Sequence, residues 1–449
     1  MKPDLDAVRE CLDSAIPCAI ATISVDGVPN VTLVSHAEYV DAAHLALSFQ
    51  FFNKTRENVL CRREAVLYAT DSQTGASYRL TLDYLRTESE GPLFERMKAR
   101  LAGIASHSSM AAVFRLRGAD VYRVREIEAV PGLAPLPRPP GRKPLAALRA
   151  ASTAIASCNG GFEALLDAAL DALERHFDIR HALLLMLDVG RGRLYAIASR
   201  GYAESGVGAE IALGDGVIGV AAAHNIPIRI NYATSEYSYV RAAAQGSGLP
   251  PAPTEIAFPG LADAESQLAV PIVHGGEVLG ALYAESPQQR RFGYDDEDAL
   301  MALAAQLGLA LEQAQRAAQQ DDAEAVADER GLAAAPAPAS AGAPLTVRRY
   351  RGDDSVFLDD DYLIKGVAGA IIWKLLGSWQ RDGRADFSNR ELRLDPSLRL
   401  PEIADNLEAR LVLLARRLAE RSDCLRIEKT GRGRFRLQVG RPLRLIEVA

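Results

Sequence analysis

Lys54, Thr55 and Arg56 stand where an apolar run, Ser48 to Phe52, gives way to a helical pattern. Two cations and a hydroxyl at a helix start suit a phosphate dianion, which gains further from the unpaired N–H groups and the positive end of the helix dipole. Asn58 on the same helix, His36 on the preceding strand and His107 in the small, polar run GIASHSSM complete the candidate cofactor-binding set. A second cluster lies far along the chain. Lys429, Arg432, Arg434 and Arg436 surround a Gly431-Arg432-Gly433 turn, and such a basic hairpin suits contacts to a nucleic-acid backbone. Asn406 and Arg410, on the helical stretch Asp405 to Arg421, are the candidates for base edges. A third group is aromatic: Tyr232, Tyr237, Tyr239 and Phe258 occupy a long Gly- and Pro-containing segment, the kind of loop that closes over a ligand. No Ser/His/Asp or Cys/His arrangement, paired-carboxylate motif or phosphate loop stands out, so no catalytic residue is assigned. The five cysteines, Cys11, Cys18, Cys61, Cys158 and Cys424, are scattered without a CxxC pair or Cys/His cluster. No metal ligand is assigned either, and a disulfide framework is not expected.

These groups must be positioned by separate units. A chain of 449 residues should hold two to four domains at roughly 100–200 residues each. Pro131 to Pro144 is proline-rich and therefore extended, and Arg330 to Pro344 is rich in alanine and proline, with too little bulky apolar matter for a core. The expected units are 1–130, 145–320 and 345–449, joined by linkers 131–144 and 321–344. The net charge of −7 hides an asymmetry: from Thr346 onward Lys and Arg exceed Asp and Glu by five. A basic terminal unit on an acidic body points to a nucleic-acid partner. No apolar run approaches the roughly 20 residues of a membrane helix, and the start lacks the basic and apolar blocks of a signal peptide. A cytoplasmic location is expected.

The first unit reads as a helix over Leu5 to Ser14, strands CAIATISVDG, VPNVTLVSHAEYVD and HLALSFQFF, the helix after Asn53, further strands AVLYATD and YRLTLDYLRTES, a helix over Pro92 to Leu101, and closing strand segments around Gly118. The second opens with helices at Leu145 to Ile155 and Phe162 to Phe177, then strands HALLLMLDV and RLYAIASRG. Two glycine-punctuated blocks follow, GDGVIGVAAAHNIPIRI and ESQLAVPIVHGGEVLGALYAES, the latter a strand–turn–strand around His274-Gly275-Gly276-Glu277. A closing helix, Asp295 to Gln315, spaces Leu300, Leu303, Leu307 and Leu311 as a dimer seam would, so a homodimer is expected. The third unit reads as a strand pair, a helix over Val367 to Trp379, a helix begun at FSNRELR with Ser388 as N-cap and Glu391 at the capping-box position, the helix Asp405 to Arg421, and the basic hairpin.

These patterns resemble three known families. The first unit, over about 8–130, resembles the FMN-binding split barrel of the pyridoxamine-phosphate-oxidase-like family, with FNKTREN as the matching signature. That resemblance implies FMN held by Lys54, Thr55, Arg56 and Asn58. Haem is the alternative cofactor, with His36, His44 and His107 as candidate ligands, because haem-binding relatives of the barrel exist. Where the family's oxidases carry further basic residues on the preceding strand, this chain has His36 alone. The two glycine-marked blocks resemble the GAF domain over about 145–315, implying a small-molecule effector beneath the aromatic segment. Phe292, Asp296 and Glu297 fit the second half of a cyclic-nucleotide signature whose Asn-Lys half is missing. NLEARLVLLARRL and RIEKTGRGRFRL resemble the winged helix of response-regulator transcription factors, over about 347–440, which implies DNA as partner.

The expected fold is thus multidomain α+β: split β-barrel, GAF α/β sandwich, winged helix. The expected function is a cytoplasmic ligand- or redox-sensing transcriptional regulator. Two alternatives remain open: a flavin-dependent oxidoreductase with regulatory domains, and a signalling scaffold whose winged helix binds protein.

Overall fold

The computed structural model describes residues 4–448 apart from 15, 51–53, 108–115, 133–135, 137–141, 231–254, 325–342, 399–406 and 432. It is a mixed α+β, multidomain structure.

The N-terminal domain begins with a short helix, α1 (Leu5–Val8), whose first turn is capped by the Asp4 carboxylate accepting the Ala7 N–H. The chain then tightens into a 3₁₀ turn at Arg9–Cys11, so the helix expected to reach Ser14 stops early. Strands β1 (Ala19–Ile23), β2 (Pro29–Leu33), β3 (Ala37–Asp41) and β4 (His44–Phe49) precede helix α2 (Lys54–Arg62). After β5 (Glu64–Thr70) and β6 (Ser77–Glu88) come helix α3 (Pro92–His107) and strand β7 (Gly118–Ala129). The seven strands form one antiparallel sheet in the order β2-β1-β5-β6-β7-β4-β3. Period-2 burial fixes which face is core: along β5, Ala65, Leu67 and Ala69 are buried while Glu64 and Tyr68 are exposed. One cluster gathers Ile20, Leu45, Leu67, Leu80 and Leu82. A smaller one seats Phe94, Met97 and Leu101 of α3 on Ala46, Ala119 and Val121.

The middle domain starts with helices α4 (Pro144–Ala156) and α5 (Gly161–Phe177). Strands β8 (His181–Asp188), β9 (Arg193–Arg200) and β10 (Glu210–Ala212), helix α6 (Gly216–His224), strands β11 (Ile228–Ile230), β12 (Ser266–His274) and β13 (Glu277–Ser286), and helix α7 (Tyr294–Glu324) follow. The six strands run in the order β10-β9-β8-β13-β12-β11. Helices α4, α5 and α7 cover one face, and α6 covers the other, with Val217, Ile218 and Val220 on Leu183, Leu185, Ala269 and Tyr283. β12 and β13 are joined by the expected tight turn, with Gly275 and Gly276 both at positive φ, as a two-residue hairpin requires. Leu300, Leu303, Leu307 and Leu311 are all fully buried in this domain's own core. They therefore cannot be the seam for a second copy that their spacing suggested; the same period serves a helix laid on its own sheet.

The C-terminal domain holds three strands where a pair was expected: β14 (Leu345–Tyr350), β15 (Ser355–Leu358) and β16 (Asp361–Ile364). Helix α8 (Gly366–Asp382), strand β17 (Asp386–Ser388) and helices α9 (Asn389–Arg393) and α10 (Leu407–Arg421) come next, before strands β18 (Leu425–Gly431), β19 (Arg434–Val439) and β20 (Leu443–Val448). The Ser388 hydroxyl accepts the Glu391 N–H and starts α9. β18 and β19 make the basic hairpin, extended by β17. β20 was not foreseen; it runs parallel beside β14.

Candidate functional site

A cavity of about 230 Å³ opens in the N-terminal domain between β1, β2, β4, β7 and the first turn of α2. Its apolar wall is Ile20, Leu47, Val59 and Tyr122. Thr55 and Arg56 reach it, as the sequence suggested, but both are engaged. The Arg56 guanidinium pairs with the Asp120 carboxylate, donates to the Thr87 hydroxyl at 2.9 Å and lies 4.0 Å from the centre of the Phe49 ring. Thr87 in turn donates to Asp120 at 2.5 Å. The Thr55 hydroxyl accepts from Asn30 at 2.8 Å. Lys54 does not line the cavity; it is half exposed and pairs with Glu57 at 3.4 Å. Asn58 is buried and donates to Thr22 at 3.1 Å.

A phosphate dianion needs cations whose charge is not already spent. Here the cavity's guanidinium is matched by a carboxylate, and of Lys54, Thr55, Arg56 and Asn58 none presents an uncommitted charge to the cavity. The His36 ring Nε2 is 3.0 Å from Glu38 Oε2, and His36 is not among the residues lining the cavity. His44 pairs with Asp41 at 2.9 Å on the outside of β4. His107 ends α3, and its side chain lies outside the described residues. The polar group that sequence reasoning missed is Gln50, the residue after β4. It is 5 % exposed and lines the cavity, and neither its Nε2 nor its Oε1 has a partner among the described residues.

Around His36 lies a buried ion network that joins the first two domains. Glu38 on β3 accepts from Arg100 of α3 at 3.0 Å and meets Arg96 at 3.1 Å. Arg100 reaches across to Glu297 of α7 at 2.8 Å. Glu297 also takes Arg229 of β11 at 2.9 Å, and Arg229 closes the chain on Asp13 at 2.5 Å. Burial pushes the Glu38 carboxyl up, but Arg100, the His36 hydrogen bond and Arg96 prevail and hold it down at about 2. Burial works against the charge on Arg100 and Arg229 as well, and their carboxylate partners still push both above the ordinary range. Nearby, Arg290 binds Glu10 at 3.0 Å and Asp71 at 2.8 Å. Asp296 and Glu297, which fit half of a cyclic-nucleotide signature, stand in the first turn of α7. Asp296 accepts the Gly293 N–H at 2.9 Å; Glu297 is instead the centre of this domain junction.

A second junction involves α10. Arg410, expected to reach base edges, binds Asp188 at the end of β8 at 2.5 Å, with its guanidinium 4.4 Å from the Tyr195 ring centre. Arg416 donates to Asp167 of α5 at 2.7 Å and meets Glu163 at 3.3 Å. Arg417 is 2 % exposed and donates to the Leu363 carbonyl at 3.1 Å and to Glu420 at 3.1 Å. The Ser205 hydroxyl meets Glu420 at 2.5 Å. In this arrangement Arg410 serves a domain contact, because the face of α10 that carries it lies on the middle domain. Lys429, exposed, and Arg434, half-buried, line a smaller cavity of about 130 Å³ between the hairpin and the start of α5. Asn406 and Arg432 lie outside the described residues, as do Tyr232, Tyr237 and Tyr239; Phe258 is exposed.

Residues 161–312 match the family model of the GAF domain, and a GAF domain fits a ligand-sensing regulator or a signalling protein. No curated protein matches the chain. Among solved structures, the chain is similar to the GAF domain of an Acinetobacter phosphoenolpyruvate-protein phosphotransferase, at 22 % identity over 38 % of this chain and 94 % of that one, with a TM-score of 0.30. It is similar to the free methionine-R-sulfoxide reductase of Neisseria meningitidis, at 19 % identity over 40 % and 98 %, TM-score 0.31. Similarity to an FMN-binding protein from Syntrophomonas wolfei is 21 % over 28 % and 89 %, TM-score 0.24.

Proposed function

We propose that the chain is a ligand-responsive transcriptional regulator in which the GAF domain holds a DNA-binding C-terminal domain in a docked position and releases it when the effector state changes. One observation carries the reading: Arg410 and Arg416, on the helix that resembles a recognition helix, are bound to Asp188 and Asp167 of the GAF domain. A helix so engaged is kept from a major groove. A ligand that favours one GAF conformation over another then shifts the docked population by its differential affinity. The basic excess of the C-terminal domain supports nucleic acid as the released partner.

The test is fluorescence anisotropy of the full chain with a random-sequence duplex across a salt series. Replacing Asp188 and Asp167 together by asparagine should raise DNA affinity by roughly tenfold, the equivalent of about 1.4 kcal/mol, with affinity falling as salt rises. If wild type and variant alike show no salt-dependent binding, the DNA reading fails. The docked contacts then favour the second reading, a C-terminal domain made for protein contact.

A further inference from the structure

The cavity beside α2 carries an inference that stands apart from the question of output. Gln50 is 5 % exposed, and both atoms of its amide lack partners among the described residues. A buried primary amide is costly to leave unpaired, and none of the described residues partners it. The charged groups of the cavity, Arg56 and Asp120, neutralise one another, so an entering ion would find no net countercharge. Two hydroxyls at the wall already accept bonds within the protein: Ser48 accepts the His36 N–H at 3.1 Å, and Thr55 accepts from Asn30. The rest of the lining is mixed, with Ile20, Leu47 and Val59 beside Thr32, Ser35 and Tyr122. As for size, an apolar cavity of about 150 Å³ takes benzene, so about 230 Å³ has room for a substituted ring.

We propose that this cavity binds an uncharged, planar ring bearing a lactam or carboxamide edge, and that Gln50 reads that edge. Nε2 of Gln50 donates to the ligand's carbonyl, and Oε1 accepts from the adjacent N–H. This pairing satisfies both orphan atoms at once and discriminates against a ring without that edge, which would bind with the amide left unpaired. A free pyrimidinedione or pyridine carboxamide presents this edge, and so does the pyrimidine end of a flavin ring. A phosphate takes no part.

The experiment is calorimetric titration of the full chain with uracil, nicotinamide, riboflavin and FMN, repeated on Gln50→Met, together with melting of the unliganded proteins. At least one of the first three probes should bind the wild type, and Gln50→Met should weaken it by about tenfold or more. The unliganded variant should melt at the same temperature or higher, since an unpartnered amide contributes nothing to the fold. Uracil or nicotinamide binding without riboflavin assigns the free base as source; riboflavin binding assigns the flavin ring. FMN binding more than about tenfold tighter than riboflavin overturns the proposal, because the phosphate then carries affinity. Failure of every probe at millimolar concentration also overturns it, as does equal binding by Gln50→Met or a lowered melting temperature of the unliganded variant.

Discussion

At the scale of single residues, two of the glycines that punctuate the middle domain, Gly219 and Gly280, are packing devices. A Cβ on Gly280 would overlap the carbonyl oxygen of Leu185 in the neighbouring strand, and one on Gly219 would overlap that of Ala212. Both sit where two backbones come closer than any side chain permits. Gly280→Ala should therefore destabilise the protein by roughly 1–3 kcal/mol through forced strand displacement, measured by urea unfolding; a change within experimental error would show that the sheet yields at no cost. The sequence displayed these glycines plainly but not their reason, since Gly280 and Leu185 are far apart in the chain. Glu297 stood out in the sequence, like Asp296, only as part of a cyclic-nucleotide signature. Its actual partners, Arg100 and Arg229, are distant in sequence, and nothing in the local pattern around them marks a contact between domains.

At the scale of elements, local patterns were legible and their neighbours were not. The tight turn at Gly275-Gly276 and the cap at Ser388 follow from nearest-neighbour chemistry, and both stand where the residues indicated. The leucine spacing of α7 was equally clear but fits two partners, a second chain or its own sheet, and the structure selects the sheet. Helix α10 poses the same ambiguity on its polar side: arginines that could meet phosphates meet Asp188, Asp167 and Glu163. That docking predicts a local effect. Arg416→Ala should speed amide exchange in residues 407–421 while leaving α8, with its own buried core, at wild-type protection. Mass-spectrometric hydrogen exchange makes the measurement, and uniform loss of protection across the C-terminal domain would show that Arg416 supports the domain's fold and not its docking.

At the scale of the whole molecule, two charged junctions link the three domains, the second beside an apolar core shared by the middle and C-terminal domains. The junction around Arg100 and Arg229 is buried, and a buried pair deprived of one partner costs about 3–5 kcal/mol. Glu38 couples it to acid. Its carboxyl is held below the ordinary 4.5, at about 2, so its contribution to stability is complete above pH 4.5 and drains away as pH falls toward 2. The melting temperature of the wild type should drop across that window more steeply than that of Glu38→Gln, which lacks the titrating group; parallel curves would place the acid sensitivity elsewhere. No described helix is long and apolar enough to cross a membrane.

The strand pairing at the end of the chain has a mechanical consequence. β20 lies parallel to β14 over six register positions, from Leu345 opposite Leu443 to Tyr350 opposite Val448. Tension between the segment entering β14 and anything joined beyond β20 pulls the two strands past each other along their length. The ladder's hydrogen bonds then carry the load together instead of parting one by one. A tether fixed after Val448 would grip the C-terminal domain through its strongest direction, whereas force applied between α10 and the GAF domain would meet only side-chain contacts and part there first.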